Sequence, residues 1–218
     1  MSLWERIATE TNGEAYATAY AERFRAMAAR GENTHGEAGL VTGLAGPPPA
    51  RLLDAGCGTG RIAVHLAGLG YDVVGVDADA SMLRVAEEEA PTLDWRVVDL
   101  ATMALGRVFD LVLVAGNVIP LLDPGTLDAV AHRLSEHTER GGQTGHGGLV
   151  VCGFGLDDDH LPGDCPVTPL ADVDAAFARA GLVPVERWST WDRDPWVDGG
   201  GYVVTLHRRA PSPQGEQP

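Results

Sequence analysis

The chain contains no lysine: all sixteen of its basic residues are arginine. That absence excludes a lysine Schiff base or lysine nucleophile within the chain. Cysteine is scarce too. The three present, Cys57, Cys152 and Cys165, show no metal-ligand spacing and leave one odd, so no metal site is expected and a reduced, cytoplasmic setting fits best. Positive charge is outweighed, with a formal net charge of −15. Such acidity opposes affinity for nucleic acid or an anionic membrane surface, because phosphate contacts come from basic clusters. No apolar run approaches membrane-spanning length, and the start Met-Ser-Leu-Trp-Glu-Arg lacks the basic flank and apolar core of a signal peptide. What is present is 218 residues with 44% hydrophobic content, enough for one domain with a buried core and a small accessory element.

The stretch 1–46 reads as helical. Ala15, Ala19, Phe24 and Met27 form a rough stripe, and Asn33 or Thr34 is placed to cap a second helix carrying Leu40, Val41 and Leu44. Gly46-Pro47-Pro48-Pro49 ends that region, and 47–209 forms the main domain. Strands are predicted near 51–54, 72–77, 94–98, 109–115 and 148–154, with helices near 60–68, 80–90 and 125–139. The runs Phe109–Ala115 and Leu149–Phe154 are almost continuously apolar, as parallel strands covered on both faces should be. This alternation predicts an α/β fold, a doubly wound and mostly parallel sheet. After a helix over Ala171–Ala180, the runs Leu182–Thr190 and Tyr202–Arg208 have no crossover helix between them. They should pair as an antiparallel C-terminal hairpin, giving seven strands. The segment 140–148 reads as an enlarged turn at the sheet end away from the site, carrying an exposed His146, and 210–218 as a disordered tail.

The first strand runs as Leu52-Leu53-Asp54-Ala55 into Gly56-Cys57-Gly58-Thr59-Gly60-Arg61, where a helical pattern begins. Glycines at alternate positions let a ligand approach the main chain, and amides at a helix start attract a negative group. Asp77 closes the next apolar run, at the distance expected of a carboxylate that grips ribose hydroxyls. The dinucleotide fingerprint G-x-G-x-x-G would need glycine where Arg61 stands.

The pattern D-x-G-x-G-x-G instead resembles motif I of the class I S-adenosylmethionine-dependent methyltransferases. The likeness continues through Gly75–Leu83, Val97–Leu100, Phe109–Ala115 and Gly147–Val151 in the family's order. It implies a Rossmann-like seven-stranded sheet, S-adenosylmethionine as cofactor, and an N-terminal helical lid. Gly56, Gly58 and Gly60 would let the methionine part pass, and Asp54 would face its amino group. Asp77 would hold the ribose hydroxyls, while Ala78, Met82, Asp99 and Leu100 would surround the adenine. Ala115 and Gly116 would line the methionine side, and Tyr16 or Arg25 of the lid could reach the carboxylate.

Methyl transfer by in-line displacement needs mainly alignment, and a general base only for a weakly acidic acceptor. The sequence Ala115-Gly116-Asn117-Val118-Ile119-Pro120 departs from the Asn-Pro-Pro-Tyr type associated with methylation of base and protein amides. Together with the acidity, it favours a small-molecule substrate. Topology brings Asn117, Trp191, Arg193 and Trp196 toward the acceptor side, with His35, His160 and Asp192 as candidate bases. Tyr20 and Glu37 are further polar lid candidates, whereas His65, His132 and His207 read as structural. The acceptor atom and the oligomeric state stay open, and two other readings remain: a nucleotide-dependent oxidoreductase and a non-catalytic cofactor-binding module.

Overall fold

The computed structural model describes residues 2–13, 15–140 and 148–210. Its centre is a seven-stranded sheet in the order β3-β2-β1-β4-β5-β7-β6. The strands are β1 (Arg51–Ala55), β2 (Asp72–Asp77), β3 (Asp94–Val97), β4 (Leu111–Val114), β5 (Leu149–Gly155), β6 (Leu182–Trp188) and β7 (Tyr202–Arg209). The first five pair in parallel, and β7 runs antiparallel between β5 and β6. This is the expected architecture, hairpin included. β4, Leu-Val-Leu-Val, has every side chain buried because helices cover both of its faces.

Among the described residues the helices are α1 (Leu3–Asn12), α2 (Tyr16–Ala29), α3 (Gly36–Ala45), α4 (Arg61–Gly68), α5 (Ala80–Glu89), α6 (Leu127–His137) and α7 (Leu170–Arg179). No helix among them is long and apolar enough to cross a membrane. The N-terminal region differs from expectation in three ways. It forms three helices rather than two, because Gly13, at φ 73°, ends α1. Ser2 and Glu5 start α1 with a reciprocal capping box. The buried stripe of α2 is Tyr16, Ala17 and Ala21, while Ala15 and Ala19 are exposed, since α2 turns that side toward α5. The residue before α3 is His35, whose amide donates to Asn33 Oδ1 at 3.0 Å; neither Asn33 nor Thr34 is the cap itself.

The insertion with His146 (141–147) and the tail beyond 210 fall outside the described residues. Ala210 is within them, and its amide donates to the Gly181 carbonyl at 2.9 Å.

The register sets Asp54 beside Gly75 and Asp77 beside Val97, both at the carboxyl ends of their strands. Strand order reverses between β1 and β4, where a crevice opens beyond the strand ends.

Candidate active site

A cavity of about 450 Å³ occupies that crevice. Its floor is the turn after β1. Gly56 sits at φ +80°, and a Cβ there would lie 2.4 Å from a Val118 methyl, so only glycine is tolerated. Asp77 holds the turn shut, accepting the Gly58 amide at 2.8 Å on one oxygen and the Asp79 amide at 2.9 Å on the other. Burial pushes the Asp77 pKa up, against the pull of those amides.

Asp54 lies deeper, 4% exposed, and burial drives its pKa up to about 7. The Arg61 guanidinium pulls the other way, but its own hydrogen bonds go to Glu37, at 2.7 and 3.1 Å, and to the Thr34 carbonyl. Asp54 is therefore a carboxylate facing a cavity without a cation of its own. A ligand with an amino group would supply one.

The cavity brings together most of the residues singled out in the sequence. Asp54, Gly56, Gly58, Asp77, Ala78 and Met82 line it, as do Asp99, Leu100, Ala115, Gly116 and Asn117. Gly60 does not. It precedes α4 at φ +76°, with the Trp95 ring 2.5 Å from where its Cβ would be, so it serves close packing. Tyr16 does not reach the cavity either, because its hydroxyl donates to Asp79 and its ring packs edge-on against Trp4. Arg25 points away to an exposed ion pair with Glu89 at 3.0 Å. Arg23, two positions earlier, lines the cavity instead, its guanidinium over the Tyr20 and Phe24 rings.

The candidates on the acceptor side are more dispersed. Asn117, at φ 65°, lines the cavity, but its amide group is committed: it donates to the His160 carbonyl and accepts the Gly155 amide. Trp191 donates to the Tyr202 hydroxyl at 3.1 Å and lies over Gly153. Arg193 packs over Trp188, and Trp196 lies beneath Arg187. None of the three tryptophan and arginine candidates lines the cavity, because the β6–β7 loop leaves the sheet edge beyond β5. Asp192 is exposed in the same loop. His35 stacks on His65 at 4.2 Å between ring centres, outside the cavity, and burial lowers its pKa. His160 is exposed, with Nδ1 2.6 Å from Asp157 Oδ1, two residues from the cavity-lining Pro162.

Several lining residues were not anticipated: Trp4, Phe24, Arg23, Thr34 and Arg61. Tyr20 and Phe24 had a signal in their four-residue spacing on α2, and Arg61 in its place directly after the glycine turn. Trp4 had none, since α1 meets the cavity only through the tertiary fold.

Comparison with known proteins agrees with this fold. A family model described as a methyltransferase domain matches residues 52–142. A TehB-like S-adenosylmethionine-dependent methyltransferase from Corynebacterium glutamicum superposes with a TM-score of 0.77 and 31% identity, over 89% of this chain and 98% of that one. An amino pentose methyltransferase from Micromonospora echinaspora, solved with S-adenosylmethionine bound, has the same fold: TM-score 0.66, 23% identity, 87% and 96% covered. A ubiquinone biosynthesis O-methyltransferase from Cereibacter sphaeroides is 33% identical over 160 residues, 60% of each chain. The curated relatives are matched over part of their length, from 24% for a viral methyltransferase to that 60%. On the strength of the near full-length likeness at 31% identity, the chain belongs to the S-adenosylmethionine-dependent methyltransferase family.

Proposed function

We propose that this chain transfers a methyl group from S-adenosylmethionine to a small-molecule acceptor. The observation that carries the reading is the pair of strand-end carboxylates flanking a glycine-only turn, Asp54 with its pKa raised to about 7 and the nearby Arg61 hydrogen-bonded elsewhere, and Asp77 at the next strand end. When bound, the cofactor supplies an electrophilic methyl on a sulfonium sulfur. Asp54 would face its ammonium, and Arg61, Arg23 and the buried Tyr20 hydroxyl would orient its carboxylate. Asp77 would take the ribose hydroxyls, and Met82 and Leu100 would sandwich the adenine, with Asp99 at its edge. Trp4, Tyr20 and Phe24 of the N-terminal helices would act as a lid that excludes water.

For the acceptor, His160 is the best placed of the three candidate bases. Asp157 holds Nδ1, which leaves Nε2 to take a proton, and the Asn117 side chain ties the His160 main chain to the cavity edge. His35 is occupied by stacking on His65, and Asp192 lies on the far loop. The roles named for two relatives, O-methylation in ubiquinone biosynthesis and methylation of an amino pentose, support a small molecule. The net charge of −15 disfavours nucleic acid, and three unpaired thiols suit a reduced, cytoplasmic setting.

Calorimetry with S-adenosylmethionine and S-adenosylhomocysteine, and NAD and NADP as controls, tests this. Micromolar binding of both sulfur ligands is expected, weakened at least tenfold by Asp77→Ala, since a charge-assisted hydrogen bond is worth about 1.5–3 kcal/mol. A folded chain that binds neither, or an Asp77→Ala variant with unchanged affinity, would overturn the assignment.

A further inference from the structure

Asp79 lies two residues beyond Asp77 and is 4% exposed. Its two carboxylate oxygens serve different parts of the molecule. Oδ1 accepts the Ser81 amide at 2.8 Å and the Ser81 hydroxyl at 2.7 Å, which caps α5. Oδ2 accepts Trp4 Nε1 at 2.9 Å and the Tyr16 hydroxyl, donors from α1 and α2. The cap needs only Oδ1, and a serine or asparagine could provide it. The second oxygen is given wholly to the N-terminal helices.

The main chain of Asp79 works in the opposite direction. Its amide donates to Asp77 Oδ1, while the other oxygen of Asp77 takes the Gly58 amide. One residue thus grips the N-terminal helices with its side chain and the glycine turn, through Asp77, with its backbone. Around it, Ala8, Tyr16, Ala17 and Met82 pack as a small cluster, with Trp4 and Tyr20 against them. Of these, Trp4, Tyr20 and Met82 also line the cavity.

We propose that Asp79 is a positioning residue that couples docking of α1 and α2 to ligand binding at Asp77. The coupling rests on the methyltransferase reading of the cavity. A ligand held by Asp77 and covered by Trp4 and Tyr20 binds the docked arrangement alone. It therefore stabilises docking by as much as docking strengthens its own binding.

Tyr16→Phe isolates the latch, because Tyr16 does not line the cavity and the Asp79 cap on α5 stays intact. Asp79→Asn tests the same oxygen while keeping a capping side chain. Two readouts are taken for wild type and both variants: calorimetric affinity for S-adenosylhomocysteine, and the rate of tryptic cleavage at Arg6, Arg23, Arg25 and Arg30 with and without that ligand. Wild type should be cut more slowly when ligand is present. Because the undocked chain holds no ligand, faster cleavage and weaker binding share one loss. Their fold-changes should multiply to about tenfold for Tyr16→Phe, which loses one hydrogen bond to a charged group, and to more for Asp79→Asn, which disturbs two. Faster cleavage of the variants that saturating ligand does not slow would make the latch merely structural and overturn the coupling, as would ligand that gives wild type no protection. A wild-type chain that binds no S-adenosylhomocysteine would overturn the cofactor assignment itself, and the coupling with it.

Discussion

Asp54 and Asp79 are equally buried, each 4% exposed, yet their acidities move in opposite directions. Burial raises the Asp54 pKa to about 7. Burial would raise Asp79 too, but hydrogen bonds from Tyr16, Ser81 and Trp4 outweigh it and hold Asp79 below the ordinary carboxylate range. The difference lies in depth, which is greater for Asp54, and in the donors. Asp79 is surrounded by them, whereas Asp54 has the Ala63 amide and an arginine engaged elsewhere. A saturated buried acid is part of the framework. One that faces a cavity and is short of donors fits the proposed role of a ligand site held ready, at a standing cost to the fold.

The sharpest break of that contrast is a stability measurement without ligand at pH 7. Asp79→Ala removes a helix cap and the contacts to Trp4 of α1 and Tyr16 of α2, and should cost about 3 kcal/mol or more in denaturant unfolding. Asp54→Asn should be neutral or stabilising, because it relieves the burial of charge. Equal losses would dissolve the distinction.

A smaller effect concerns pH. An ammonium ligand needs Asp54 ionised, so S-adenosylhomocysteine affinity should fall by up to about tenfold per pH unit below about 7. At pH 7 binding should release part of a proton, seen as heat that depends on the buffer. Asp54→Asn should weaken binding and flatten this profile; a wild-type profile already flat from pH 5 to 8 would count against the role of Asp54. Stability of the free chain carries the opposite signs at the two sites. The folded pKa of Asp54 exceeds its unfolded value, so its contribution improves as pH falls from about 7 toward the ordinary carboxylate range. That of Asp79 is depressed, so its contribution is lost only as pH falls below that range.

The smallest effect is assigned to Arg25. Its ion pair with Glu89 is about half exposed on both sides, so Arg25→Ala should change stability by under about 1 kcal/mol and leave ligand affinity untouched. A loss of affinity would return Arg25 to the site.

The sheet was legible because each strand carries its own signal: continuous apolar runs for β4 and β5, and no crossover helix between β6 and β7. The glycine turn and Asp77 were legible because the constraint there is local backbone geometry. The N-terminal helices were harder to read. Their alanine-rich sequence has a weak stripe, and which side faces inward depends on α5, distant in the chain. Arg23 and Arg25 differ by half a turn, so the sequence could not choose between them. Asp79 had a local mark, an acid two residues before a serine at a helix start. Its donors Trp4 and Tyr16 stand 75 and 63 positions away, and only folding joins them to it.

Asn117 carries a consequence for how the cavity opens. By stitching the Gly155 amide and the His160 carbonyl to the end of β4, it makes two neighbouring loops into one rigid jamb. The opposite side of the doorway is hung on helices latched by two side chains. Traffic of ligand and product would then pass on the hinged side, and changes of acceptor preference could accumulate there without loosening the frame.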